Sequence, residues 1–155
     1  MTPGVRAAQR AGIAHSIHEY EHDPGAASYG LEAAEKLDVA AEQVFKTLVV
    51  KLDGTRLAVG VVPVSRTLDL KAVAGALGAK RAAMAEVAEA ERATGYVAGG
   101  ISPLGQRKRL PTALDESALA FERIYVSAGR RGLEIAIAPA DLLRLCGGTA
   151  AAIAR

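Results

Sequence analysis

In the run Val-Phe-Lys-Thr-Leu-Val-Val, residues 44 to 50, a single lysine interrupts an apolar, β-branched stretch. Side chains alternate across a strand, so Val44, Lys46, Leu48 and Val50 share one face and Phe45, Thr47 and Val49 the other. Both faces are apolar, which predicts a strand covered on both sides, with Lys46 either in the interior or at the mouth of a pocket at the sheet edge. A cation held against apolar walls attracts a phosphate or a developing oxyanion more strongly than one in water, and desolvation lowers its pKa toward acid/base use. A lysine whose stem packs while its ammonium reaches solvent satisfies the same pattern. The second candidate is the loop Gly99-Gly100-Ile101-Ser102-Pro103-Leu104-Gly105. Its glycines let backbone approach a ligand and leave N–H groups free to face an anion, while Pro103 stiffens the exit. It is neither a P-loop nor a dinucleotide fingerprint, and an ordinary surface turn has the same composition.

His15, His18 and His22 have helical spacing, but their segment reads as a strand, in which His18, Tyr20 and His22 share a face and His15 falls out of register. No carboxylate or cysteine set completes a site, so no metal is predicted. Tyr20 can donate a hydrogen bond at a pocket wall or sit half-buried in the core. The groups Arg107-Lys108-Arg109 and Arg130-Arg131 read as solvated surface, or as contacts to nucleic-acid phosphates that fix position without reading sequence. There is no Ser-His-Asp pattern and no G-x-S-x-G elbow. Cys146, in Leu-Leu-Arg-Leu-Cys-Gly-Gly, reads as helix packing rather than as a nucleophile.

These residues need elements to hold them. Thr2-Pro3 predicts a helix start that Gly12 ends, and a strand over Ile17 to Glu21 precedes the breaker cluster His22-Asp23-Pro24-Gly25. Leu31 to Leu37 predicts a short helix. The Lys46 strand and a strand over Leu57 to Pro63 predict a hairpin across Asp53-Gly54. Thr67 is the expected cap of a helix carrying Leu70, Val73, Ala74 and Leu77, closed by Gly78. Propensity predicts one helix over Ala82 to Ala93, ended by Thr94-Gly95. Two strands, Arg123 to Ser127 and Leu133 to Ala138, flank Gly129-Arg130-Arg131-Gly132, and Pro139 opens a final helix through Leu145. Recurring hairpins among helices predict an α+β fold: a mixed, mostly antiparallel sheet or barrel-like core with peripheral helices.

The chain has 155 residues, half of them hydrophobic, which is enough for one domain over 1 to 155 with its own core. No apolar stretch approaches a membrane span and no basic leader precedes an apolar run, so the expected location is cytoplasmic, with no membrane partner. A formal charge of +2 is too small for indiscriminate nucleic-acid binding, so any such contact is local.

The stretches YEHDP (20 to 24), VFKTLVV (44 to 50), LDLKAVAGALGAK (68 to 80), TGYVAGGISPLGQRKRLPT (94 to 112) and IYVSAGRRGLEI (124 to 135) together resemble the YbaK family of freestanding aminoacyl-tRNA deacylases. The likeness runs over almost the whole chain and in the right order. It implies a mixed sheet or barrel-like core related to the editing domain of bacterial prolyl-tRNA synthetases. The implied substrate is tRNA mischarged with cysteine, chiefly tRNA for proline and secondarily Cys-tRNA(Cys), presented by its CCA end. The family's lysine falls on Lys46 and its pocket tyrosine on Tyr20. Its Gly-x-x-x-Pro loop falls on Gly99, Gly100, Ile101, Ser102 and Pro103, and its later pocket segment on Ser127 and Gly129. Its usual aspartate after Arg-Gly-Leu is Glu134 here, one methylene longer, which puts that pocket role in question. In such enzymes the substrate's own thiol is thought to attack its ester carbonyl and leave a cyclic thiolactone, so no protein nucleophile and no cofactor are required. Arg107, Lys108 and Arg109 are the expected tRNA phosphate contacts, and a prolyl-tRNA synthetase is the expected partner. A deacylase for Ala- or Ser-tRNA and a non-catalytic tRNA- or nucleotide-binding module are the competing readings.

Overall fold

The structure, a computed structural model, describes residues 1–155. Thr2 caps the first helix, α1 (Pro3–Arg10): its side-chain oxygen accepts from the Val5 N–H, and its hydroxyl also donates to the Ala128 carbonyl, tying the helix to a strand far along the chain. The strand β1 (His15–Glu19) follows, starting two residues before the sequence expectation. Ser28 caps α2 (Tyr29–Leu37), and Asp38 ends it in the left-handed region.

The predicted hairpin is present as β2 (Phe45–Leu52) and β3 (Arg56–Pro63), paired from Phe45↔Pro63 to Leu52↔Arg56. Asp53 (φ 49) and Gly54 (φ 73) both take positive φ at the turn, the geometry for which Asp-Gly is favoured. One face of the hairpin carries Phe45, Val59 and Val61 into the largest core cluster. The other carries Val44 and Val64 against α2, and Leu48 and Val62 against Val73 of α3 (Leu70–Ala76). Lys46 lies between those two covered patches.

Two expectations are corrected here. Asp69, not Thr67, caps α3, accepting from the Ala72 N–H at 3.0 Å, while Thr67 is engaged with Arg155 at the chain end. The stretch read as one helix from Ala82 divides into a strand, β4 (Ala82–Met84), and a helix, α4 (Val87–Thr94). Alanine has the highest intrinsic helix propensity, but propensity yields to tertiary context, and the open edge of β2 at Val50–Leu52 offers those residues a backbone ladder instead. Two short strands, β5 (Thr112–Asp115) and β8 (Thr149–Ala151), carry no alternating pattern and pair in parallel at the far side of β3.

The strands form two open sheets: β4-β2-β3-β5-β8, and a three-stranded sheet β1-β7-β6 built from β6 (Ile124–Arg130), β7 (Leu133–Ile137) and β1. The architecture is α+β with mixed sheets and no closed barrel. Ile124, Val126, Ile135 and Ile137 of the small sheet meet Phe45, Val59 and Val61 of the large one, with α1 and the last helix, α5 (Pro139–Cys146), sealing the ends. The buried Asp115 carboxylate accepts the N–H groups of Ser117, Ile153 and Ala154, holding β8 and the tail in place. No helix is long and apolar enough to cross a membrane.

A cavity between the Lys46 strand and the glycine loop

β4 pairs only with Val50–Leu52 and a parallel bridge joins Val44 to Tyr125, which leaves Lys46 to Leu48 between them as a free edge. The Val64 N–H donates to the Val44 carbonyl and the Ala85 N–H to the Val49 carbonyl. Ladder alternation therefore turns the Thr47 peptide group away from β3 and toward the open side. A cavity of about 240 Å³ occupies that gap. Its walls are Val44 to Leu48 of β2, Gly30 and Ala33 of α2, Gly99 and Ile101 of the glycine loop, and Tyr20, Ser127 and Glu134 of the small sheet. Tyr29, Arg130 and Arg131 stand at its exposed mouth.

Lys46 has no carboxylate within ion-pair distance, and burial lowers its pKa. It is a cation without a protein counter-ion beside apolar walls. Across the cavity, the Gly100 N–H is spent on the Val97 carbonyl (2.9 Å), whereas the Gly99 and Ile101 amides donate to no protein acceptor. Gly99 sits at φ 91, and a Cβ on Gly100 would come within 2.8 Å of the Arg130 Cα. The glycines thus serve first to let the loop lie against the β6–β7 turn. Ser127 locks it there: its Oγ donates to the Gly100 carbonyl (3.2 Å) and accepts from the Gly129 N–H (3.2 Å). Thr47 Oγ1 is buried without a hydrogen-bond partner.

Glu134 is 6% exposed, its carboxyl group has neither hydrogen-bond nor ion-pair partner, and burial pushes its pKa up to about 8. The Tyr20 phenol is raised to about 12, first by burial and then by the Glu134 and Glu32 charges, against a hydrogen bond with Gly132. The next wall is braced differently. Glu32 accepts from His22 Nδ1 and from the Asp23 N–H, each at 2.7 Å. Burial pushes its carboxyl up, but those bonds and the charges of His22 and Lys36 outweigh that and hold it below the usual range. His15 is engaged with the Ile13 carbonyl and His18 with Ser16.

Other predicted residues lie elsewhere. Ser102 is fully buried behind the loop, accepting from the Leu104 N–H, and Gly129 packs against Tyr96 and Thr2. Pro103 lines a separate groove with Lys108, Arg109 and Cys146. Arg107 lies against Gly95. The loop therefore has two faces, and Arg107, Lys108 and Arg109 are not on the cavity side. Sequence reading did not place Ser28, Tyr29, Thr47 or Arg130 and Arg131 at the cavity. The Arg131 guanidinium lies 3.9 Å above the Tyr29 ring and donates to the Ala98 carbonyl, a cation–π clasp across the mouth whose only sequence signal is an arginine pair in a hairpin turn.

The model of the aminoacyl-tRNA editing domain matches residues 23–145. The chain belongs to the aminoacyl-tRNA editing domain family. Within it, a relative from Enterococcus faecalis (strain ATCC 700802 / V583), described as "Putative Cys-tRNA(Pro)/Cys-tRNA(Cys) deacylase EbsC", is 42% identical over 120 residues, 77% of this chain and 73% of its own. Two solved structures share the editing-domain fold. One, described as "a putative trans-editing enzyme for prolyl tRNA synthetase", has a TM-score of 0.84 at 24% identity, covering 100% of this chain and 99% of that one. The other, described as "hypothetical protein APE2540", has a TM-score of 0.87 at 21% identity, with 99% of each chain covered.

Proposed function

We propose that this chain is a trans-acting editing deacylase that removes cysteine from mischarged tRNA, chiefly tRNA for proline, in the cytoplasm. The observation that carries the reading is the shared cavity: Lys46, which has no ion-pair partner, lines it together with Gly99 and Ile101, whose amides donate to no protein acceptor. Preorganised donors of this kind stabilise charge that develops at an ester carbonyl oxygen, and the Lys46 cation also suits the terminal phosphate or ribose. The cavity is smaller than the 300 Å³ or more of typical small-molecule sites, so it suits an aminoacyl group with its ribose while the rest of the CCA end stays outside.

No histidine or cysteine lines the cavity, and the Ser127 hydroxyl is committed to the loop. This fits the mechanism that the resemblance implies, in which the nucleophile is the substrate's own thiol. Its sulfur forms a bond to the carbonyl carbon, the carbon–oxygen ester bond breaks, and tRNA leaves with the ribose oxygen while the amino acid closes to a thiolactone. Serine's hydroxyl is a poorer nucleophile at neutral pH and alanine has none, which supplies chemical selection beyond size. A prolyl-tRNA synthetase that retains the tRNA body is the proposed partner, because the protein's own charge is small.

The test is deacylation of Cys-, Ser- and Ala-tRNA by purified protein, with product analysis for thiolactone. Cys-tRNA is the expected substrate, and Lys46→Ala is expected to lower its rate by about 10²–10³-fold, the size of a lost oxyanion donor. Intact Cys-tRNA after incubation, or a fully active Lys46→Ala variant, overturns the proposal.

A further inference from the structure

The protein buries three carboxyl groups whose partners differ. Glu32 receives His22 and an amide, and Asp115 receives three amides. Glu134, equally buried on the middle strand of the small sheet, receives nothing; it lines the cavity, where the Tyr20 phenol feels its charge. An unpartnered buried carboxyl is costly for folding, so its free valence is available to whatever enters.

We infer that Glu134 is the proton carrier of the reaction: as carboxylate it takes the proton from the attacking thiol, and as carboxylic acid it returns that proton to the departing ribose oxygen. This rests on the deacylase reading of the same cavity. The step balances without a co-reactant. The S–H bond breaks toward Glu134, the C–S bond forms, the C–O bond breaks, and the ribose oxygen leaves carrying the proton, with Glu134 restored as carboxylate.

A general base works best when its pKa is near that of the group it serves and near the working pH. Burial brings Glu134 to about 8, close to the 8.5 of a free thiol. Tyr20, from the end of β1, feels the Glu134 charge, Lys46 of β2 lines the same cavity, and Ser127 and His18 flank Glu134 on neighbouring strands. Arg130 and Arg131 at the mouth and Tyr29 and Glu32 of α2 complete the charged and titratable surroundings. Lys46 is placed to hold the carbonyl oxygen's charge while Glu134 holds the proton, a division of labour one side chain could not perform.

The experiment is the single-turnover rate on Cys-tRNA across pH 6 to 9.5, corrected for spontaneous deacylation, for wild type, Glu134→Gln and Glu134→Asp, with KM measured alongside. Wild-type rate is expected to rise with pH and level off as Glu134 titrates. Glu134→Gln is expected to lose about 10²–10⁴-fold in kcat at unchanged KM. Its residual rate should follow ionisation of the substrate thiol alone and level off only as that thiol titrates, near its ordinary value of about 8.5. Glu134→Asp, which keeps a carboxyl group, should recover part of the rate and of the profile. A Glu134→Gln variant with wild-type kcat, or one that only raises KM, overturns the proton-carrier role and leaves the deacylase reading standing. Wild-type inactivity on Cys-tRNA overturns both.

Discussion

Lys46 and Glu134 show how environment turns ordinary side chains into reactive ones. Both lie on the walls of one small cavity, Glu134 buried and Lys46 half-buried, and neither has a protein counter-charge there. For Glu134 the consequence can be measured on stability. Its carboxyl group has a folded pKa near 8 and an ordinary value of 4.5, so the folded state binds more protons between those limits. Below the ordinary value the carboxyl is neutral in both states, so its ionisation costs folding nothing. As pH rises toward 8 the folded state loses stability by at most roughly 1.4 kcal/mol per pH unit. Glu134→Gln, which cannot ionise, is therefore expected to melt higher than wild type at pH 8, with the gain shrinking toward pH 5. Thermal melts at those two values check this, and a gain that does not depend on pH would contradict it. Lys46 was readable from its apolar neighbours in the strand. The loneliness of Glu134 was not, because it depends on what the adjacent strands leave unfilled.

At the scale of elements, the glycine loop and the turn between β6 and β7 act as one unit. The Gly100 backbone lies so close to Arg130 and Arg131 that a methyl group there would meet main-chain atoms at 2.8 to 3.1 Å. Main chain cannot swing aside as a flexible side chain can. Gly100→Ala is expected to destabilise the fold by roughly 1–3 kcal/mol and to raise KM for charged tRNA, because the Gly99 and Ile101 amides shift with the loop. Denaturant melts and steady-state kinetics on one preparation check both effects. The loop's candidacy was legible from its glycines, although their first use is contact with protein rather than with ligand. The hairpin over Asp53-Gly54 and the first helix with its Thr2 cap were legible too, since turn and cap chemistry is local. The strand β4 was not, because alanine takes whichever backbone partner the surroundings offer, and there the partner is the exposed edge of β2.

For the whole molecule, the two basic clusters stand at different places. Arg130 and Arg131 border the cavity mouth, while Lys108 and Arg109 line a groove on the other face of the loop. A short acceptor-stem RNA carrying the CCA end should therefore need the first pair, and only full-length tRNA should reach the second cluster. Neutralising Arg130 and Arg131 is expected to weaken both substrates. Neutralising Arg107, Lys108 and Arg109 should lower the salt slope for full-length tRNA alone, by up to about 0.7–0.9 per charge removed. Binding of both RNAs at several salt concentrations checks this, and equal loss on the short RNA would place the second cluster at the CCA end.

Composition, alternation and turn chemistry by themselves determined an α+β chain with a lysine-bearing hairpin and a glycine-rich loop, because each of these signals is carried by residues close together along the backbone. Only the tertiary structure decided that β4 stops short of Lys46, that the gap it leaves is roofed by α2 and the loop, and that Glu134 from a second sheet closes the gap without a partner. The reason is physical: a cavity is set by where packing ends, and that depends on residues that meet across almost the full length of the chain.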